Sequence, residues 1–366
     1  MRILVTTDAV GGVWRYSLVL ARDWAARGVA VDLAVLGPAP DPAQTAEAEA
    51  VPGLVLHRTG LELDWTAPGH AALERGAVRL AALAVERGVA SVHLHAPALM
   101  GAAVFWPVQV VAVVHSCLLT WWRALRNGTP PADFAWRIAA TRNGIERADH
   151  VVAPSRALRD ALRDAYGTRR PIAAIHNGRD PLPAPAVPAA DRPRAVLAAG
   201  RFWDEGKDVA TLDAAARLLD APVRAAGSFR GPNNEAAAAP ALVRLGSLDE
   251  PGLARAFGAA RVFVSTARYE PFGLAVLEAA QAGLALVLSD IPSFRELWDG
   301  AALFVSCGDA AGFAAAVVRA LDDPARLGAA ARERAGRYAA AAMAERTLVL
   351  HHRRGTPLAA PKQRIA

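Results

Sequence analysis

Twice along this chain, short apolar runs alternate with longer amphipathic segments, and a proline-rich stretch separates the two series. The first series reads RILVTT, VAVDLAVLG, SVHLHA, VQVVAVVHS, HVVAPS and PIAAIHNG, each run stopping at polar or small residues. Between the first two lies GGVWRYSLVLARDWAARG, a helical pattern ending at Gly28, a residue suited to the position just past a helix. The second series is AVLAAG, PVRAAG, RVFVST and ALVLSD, interleaved with helical segments such as DVATLDAAARLLD. Such alternation predicts βαβ units and parallel sheets. The expected fold class is α/β, with two Rossmann-like domains facing each other across a cleft, where ligands meet the carboxyl ends of the strands.

The pattern places an N-terminal domain at residues 1–180, a linker at 181–192 within RDPLPAPAVPAADRPR, and a C-terminal domain at 193–335. Residues 336–355 read as a C-terminal helix packing back toward the N-terminal domain, and 356–366 as a disordered tail. A length of 366 residues suits two cores. Cys117 and Cys307 are far apart and form neither a metal-ligand spacing nor a disulfide framework, which favours a reducing cytosol. No stretch reaches the ~20 apolar residues that cross a bilayer. The net charge of +6 is compatible with an anionic ligand, with peripheral contact at an anionic membrane, or with an Arg-rich bacterial genome. No aromatic-basic nucleic-acid module is evident.

The stretch ARYEPFGLAVLEAAQAG carries two carboxylates, Glu270 and Glu278, around a Pro-Phe-Gly entry. Glu270 is expected where strand RVFVST has ended and a helix begins, with Pro271 in the first helical turn. Gly273 would let a ligand approach the backbone, and the unpaired amides of the first turn would favour a phosphate. On one continuous helix the two carboxylates would lie ~12 Å apart along the axis and on nearly the same face. A nucleotide sugar fits that arrangement, with its diphosphate at the helix end.

This stretch resembles the Glu-x7-Glu motif of retaining glycosyltransferases of family four, which have the GT-B fold. The neighbouring motifs match in order. AAGRFWDEGKD looks like the family's element in which Arg201 and Lys207 grip the diphosphate, and two cations there would neutralise a leaving group. DAVGGVWRYS resembles the N-terminal loop in which Gly11 and Gly12 open a helix toward the diphosphate. VVAVVHSCLLTWW resembles the segment carrying a histidine near the donor sugar, here His115. VVAPSRAL and IHNGRD look like the elements closing the first domain, with Asn177 and Gly178 lining the cleft or forming a hinge. Family members often have Gly and an apolar residue after the first Glu, whereas this chain has Pro271-Phe272, a variant the family accepts.

The resemblance implies a metal-independent hexosyl transfer with retention, from a nucleotide diphosphate sugar to a hydroxyl acceptor, in cell-envelope, exopolysaccharide or glycolipid synthesis. His115, Arg201, Lys207 and Glu270 would be catalytic. Gly11, Gly12, Phe272, Gly273, Leu274 and Glu278 would bind the donor, Glu278 through the ribose hydroxyls. No cofactor is implied beyond the donor itself. The chain has no Asp-x-Asp spacing of the kind that holds a metal in the other large glycosyltransferase fold. In LLTWWRALRNGTPPADFAWRIAATR, Trp121, Trp122, Arg123, Arg126 and Trp136 read either as an aromatic-basic face for a glycan, lipid or small-molecule acceptor, or as helix core.

A nicotinamide-dependent oxidoreductase needs Gly-x-Gly-x-x-Gly after the first strand, and DAVGGVWRYS lacks that spacing. A nucleotide-sugar epimerase or a phosphorylase on the same fold leaves the two glutamates and the Arg201–Lys207 loop less well explained. A non-catalytic fold relative is the remaining alternative.

Overall fold

The structure is a computed structural model that describes residues 1–101, 104–183, 187–232 and 234–352. The expected disordered tail lies outside the described residues. The chain divides into two compact units. The first comprises Met1–Trp122, Gly128–Gly178 and the C-terminal helix from Ala340; the second comprises Arg123–Asn127 and Arg179–Ala339.

The first unit holds seven strands: β1 (Arg2–Asp8), β2 (Ala30–Leu36), β3 (Leu54–Arg58), β4 (Ser91–Leu94), β5 (Gln109–Val113), β6 (His150–Ala153) and β7 (Ile172–Ala174). They form one sheet in the order β3-β2-β1-β4-β5-β6-β7. Every pair is parallel, and β1 runs in register against β2 from Arg2↔Ala30 to Asp8↔Leu36. Residues alternate between two apolar clusters, Leu4 and Val92 on one face, Ile3, Val5 and Val31 on the other. Burial on both faces explains why these strands read as continuous apolar runs. The helix Ala340–His352 belongs to this unit: Met343, Ala344 and Leu348 join the second cluster, and Trp24 Nε1 donates to the Ala344 carbonyl at 3.0 Å.

The second unit holds β8 (Val196–Ala199), β9 (Val223–Ala226), β10 (Val243–Gly246), β11 (Val262–Ser265), β12 (Ala285–Ser289) and β13 (Leu303–Val305), in the order β10-β9-β8-β11-β12-β13 and again parallel. The order reverses at β8, as it does at β1 in the first unit. Ligands of open α/β sheets bind at such switch points, outside the carboxyl ends of the strands.

Two local expectations are corrected. The helix of the two-glutamate stretch spans Leu274–Gln281, so Pro271 precedes it rather than occupying its first turn. Glu270 therefore lies off the helix, and the shared face and axial spacing expected of the two carboxylates do not exist. The entry is instead made by Gly273, the N-cap residue, at φ 88°. A side chain there would be strained in that left-handed conformation, and its Cβ would press on Phe294, Val276 and the Glu270 side chain at 3.2–3.3 Å. The proline-rich stretch is also not a bare spacer. Arg192 is buried, and its guanidinium donates to the carbonyls of Val187 and Ala282 at 3.0 and 2.8 Å.

Candidate active site

In the second unit, β8 and β11 are neighbours, so the loops leaving their carboxyl ends are adjacent. The β8 loop runs through Arg201 into a short turn, Glu205–Lys207, whose start is capped by the Asp204 carboxylate accepting from Gly206 N–H at 2.9 Å. Gly227, after β9, allows this: a Cβ there would sit 1.9 Å from the Gly200 carbonyl oxygen. The β11 loop runs through Glu270. Arg268 and Tyr269 N–H groups both donate to the Gly206 carbonyl, at 2.9 and 3.2 Å, and Thr266 Oγ1 donates to the carbonyls of Lys207 and Asp208. These ties bring Lys207 Nζ onto the Glu270 carboxylate as a half-buried ion pair. Ser293 Oγ, beyond β12, donates to the Glu270 carbonyl.

Residues 63 positions apart thus meet as a cation and a carboxylate at the sheet's switch point. Arg201 stands beside them more exposed, 3.5 Å from Asp204 and with its guanidinium 5.5 Å from the Trp203 ring. A partly solvated guanidinium and a tethered ammonium suit an incoming polyanion. Leu274 opens the helix, whose first amides have no intrahelical acceptor. The Phe272 side chain is buried and packs edge-on against Tyr338 at 5.7 Å, so only its backbone is offered to a ligand.

Glu278, on the Leu274–Gln281 helix, is buried in an ion pair with Arg179, whose other terminal nitrogen bonds Glu250 at 2.9 Å. Arg179 is further held by its N–H to the Tyr338 carbonyl and by Gln281 Nε2 donating to its own carbonyl. From the sequence, Asn177 and Gly178 are expected to line the cleft or form a hinge, and Arg179 to begin the proline-rich stretch. An arginine in IHNGRD carries no local signal, because its partners are distant in the chain.

In the first unit the helix Gly12–Ala26 begins just after β1, with Gly11 as its N-cap. Asp8 already accepts from the Val10 and Gly11 N–H groups, at 2.8 and 3.0 Å, which shapes the Gly-Gly loop. His115 follows β5 and does not stand alone. Its Nε2 lies 2.9 Å from His95 Nδ1, and His95 Nε2 lies 3.2 Å from Ser17 Oγ. Tyr16 packs edge-on against both rings, at 5.2 and 4.6 Å. Behind them, His93 Nδ1 is 3.1 Å from His351 Nε2, and His351 Nδ1 is 2.7 Å from Ser91 Oγ. Burial, the largest cause in each case, lowers all four basicities: His115 to about 4, His351 to about 3, and His93 and His95 well below the usual value. The cluster is neutral at pH 7. His93 and His95 were missed by the sequence reading, although HLH on a strand already puts them on one face.

The five aromatic-basic residues do not form a single face. Trp121 and Trp122 lie half-buried on the helix Leu118–Leu125, with Trp122 Nε1 donating to the Gly128 carbonyl at 3.1 Å and its ring edge-on to Phe134. Trp136 packs against the apolar core under the Arg137 guanidinium, 4.3 Å from its ring centre. Arg123 and Arg126 are exposed, and Arg126 forks onto Glu205 within the second unit. No helix among the described residues is long and apolar enough to cross a membrane.

The family model for glycosyltransferase family 4 matches residues 10–181, and that for glycosyl transferases group 1 matches residues 193–323. A glycogen synthase of Mycobacterium tuberculosis is 30% identical over 298 residues, 74% of this chain and 70% of the relative. A phosphatidyl-myo-inositol mannosyltransferase of Mycolicibacterium smegmatis is 38% identical over 161 residues, 40% of this chain and 41% of that protein. Among solved structures, sucrose-phosphate synthase from Thermosynechococcus elongatus superposes with a TM-score of 0.74 at 22% identity, covering 96% of this chain and 98% of that one. An Anabaena protein solved with UDP and glucose superposes with a TM-score of 0.69 at 15% identity, covering 95% of this chain and 98% of that one.

Proposed function

Because this chain belongs to glycosyltransferase family 4 and has the GT-B fold, we propose that it moves a hexose from a nucleoside diphosphate sugar to a hydroxyl acceptor with retention at the anomeric carbon. The observation that carries the reading is the Lys207–Glu270 pair at the second sheet's switch point, with Arg201 beside it. A diphosphate arriving there takes Lys207 Nζ and the Arg201 guanidinium as its counter-charges. Glu270, tethered through its own carbonyl to Ser293, is then left to accept hydrogen bonds from sugar hydroxyls. Arg179 orients the Glu278 carboxylate toward the ribose hydroxyls. From the first unit, the amides at Gly11 and Gly12 and the His115 ring are assigned to the donor. Trp121, Trp122, Arg123 and Arg126 are assigned to the acceptor.

In the transfer, the bond from the anomeric carbon to the diphosphate oxygen breaks as the acceptor oxygen bonds the same face. The acceptor proton passes to the departing diphosphate. Charge develops on that diphosphate, and preorganised cations stabilise it without reorganising. No protein nucleophile is needed, and positioning supplies the remainder of the rate. The names of the relatives, a glycogen synthase and a mannosyltransferase, support a hexose. A role in envelope polysaccharide or glycolipid synthesis, with the protein cytoplasmic or peripheral at the membrane, belongs to the same proposal.

The test is a thermal-shift panel with UDP, GDP, ADP and dTDP, followed by transfer assays with the matching nucleotide sugars in EDTA. A ligand bound only by the folded state raises the melting temperature. A shift with one nucleotide and an α-linked product from an α-linked donor support the reading. An inverted product overturns retention, and loss of activity in EDTA with rescue by manganese overturns metal independence.

A further inference from the structure

His115 is the donor-facing histidine in the reading above, and a histidine can do two opposite things there. One nitrogen donates a hydrogen bond and the other accepts, so the tautomer decides which kind of group the ligand meets. The surroundings of His115 determine that tautomer.

Ser17 is fully buried on the helix Gly12–Ala26. Its hydroxyl has one proton, and three groups near it could take that proton: the Val13 carbonyl at 2.9 Å, Thr7 Oγ1 at 3.1 Å and His95 Nε2 at 3.2 Å. Donation to the carbonyl four residues back is the common arrangement for serine within a helix. With the proton directed at the Val13 carbonyl, the shortest of the three contacts, the Ser17 oxygen faces His95 Nε2 as an acceptor, and His95 Nε2 carries a proton. His95 is neutral, because burial and the neighbouring histidines lower its basicity. Its Nδ1 is therefore bare and must accept. The group at 2.9 Å from it is His115 Nε2, which must then donate. His115 is neutral as well, so its Nδ1 is bare, and the ring is half-buried. The backbone at this point is also held, since the His95 main-chain N–H donates to Thr6 Oγ1 at 2.9 Å. The second string, in which Ser91 Oγ donates to the Gln109 carbonyl and accepts from His351, obeys the same logic and ends at a bare His93 Nε2.

We propose that Ser17 and His95 are positioning residues that hold His115 in its Nε2–H form, so that its bare Nδ1 accepts a hydrogen bond from a hydroxyl of the donor sugar. The donor-sugar half of this statement rests on the transferase reading; the tautomer half does not. The arrangement selects for a hydroxyl at that point of the sugar and against a group unable to donate. It also explains why a histidine so hard to protonate is suited to the place: an imidazolium would lose its acceptor.

The test uses the full chain with 15N-labelled histidine. Long-range proton–nitrogen spectra at pH 7, with His115→Gln to assign the signals, should show Nε2 protonated and Nδ1 bare. An Nδ1–H form or an imidazolium overturns the proposal. Ser17→Ala should populate the Nδ1–H form of His115 and lower kcat/KM about tenfold, the size of one hydrogen bond. Added to His115→Ala it should cost nothing further, because the two act as one unit. Should Ser17→Ala fail to fold, His95→Asn and His95→Leu carry the same comparison. The Asn oxygen can accept from His115 and should preserve tautomer and rate, while Leu should lose both. Donors with each hydroxyl replaced in turn by fluorine should identify one position at which His115→Ala causes no additional loss; additive losses at every position overturn the contact. Because the tautomer is read without turnover, its failure is distinct from that of the transferase reading, which would show as inactivity of the wild type with every nucleotide sugar.

Discussion

The two sheets end in opposite chemistry. At the carboxyl edge of the first, two neutral histidines, His95 and His115, are joined by a hydrogen bond, and His93 and His351 form a second neutral pair deeper along β4. At that of the second, two arginines and a lysine pair with carboxylates through Arg179–Glu278, Arg201–Asp204 and Lys207–Glu270. Neutral strings specify direction, deciding which atom donates and which accepts. Ion pairs hold charge in readiness, and removing one partner leaves the other uncompensated. In the transfer proposed above, charge is assigned to the departing diphosphate and direction to the recognition of the sugar.

The sharpest break of the comparison is at Arg179. Arg179→Met should remove the buried counter-charge facing Glu278 and destabilise the second unit by about 3–5 kcal/mol, seen as a lower melting transition. The double change with Glu278→Met should recover much of that loss. Equal melting of the single and double variants would mean that the pair carries no special weight. Next, Lys207→Ala should lower kcat about a hundredfold, equivalent to ~2.7 kcal/mol, while leaving the melting transition of the first unit unchanged. A loss under tenfold would remove Lys207 from the charge-stabilising role.

Acid should act on the first unit instead. His93 and His351 are almost fully buried and have lowered pKa values, so unfolding takes up protons below the ordinary histidine range. Their stabilising effect is complete above about pH 6.5 and is lost as pH falls toward the folded values. From pH 6 to pH 5 the two together should cost about 2 kcal/mol. Calorimetry should show the first unit's transition moving down more than the second's; the reverse order would contradict a neutral cluster.

The smallest effect concerns Asp32, where the first unit does keep a charge. Burial raises its pKa, but hydrogen bonds from Arg2, His57 and Arg87 outweigh this and leave it lowered. Its contribution is present above the ordinary carboxylate value near 4 and fades as pH falls through the lower folded value. Asp32→Asn should therefore cost about 1.5 kcal/mol at pH 7, and the gap from wild type should close below pH 4. A gap that persists in acid would mean packing, not charge.

Legibility of the fold followed burial. The strands recognised in the sequence are central ones, apolar on both faces, such as β1, β5 and β12, together with β7 at one edge. The strands that escaped, β3, β10 and β13, lie at sheet edges or are short and partly exposed, with β10 exposed at three of its four residues. Half-wet edge strands have neither a continuous run nor a clean alternation. The start of the two-glutamate helix was misplaced for a different reason. Proline fits a first helical turn by its own geometry, yet Gly273 at φ 88° takes the cap, between the buried side chains of Phe272 and Phe294.

What the chain determined by itself was its class: apolar period and turn residues dictate two parallel sheets, and the ordered motifs dictate the family. Those are properties of neighbours in sequence. Which groups meet was decided by tertiary structure alone. Lys207 reaches Glu270 because β8 and β11 pair, Glu278 is claimed by an arginine 99 residues away, and His115 takes its tautomer from Ser17 through His95. Partner choice and proton position depend on distance and burial, which no local pattern encodes.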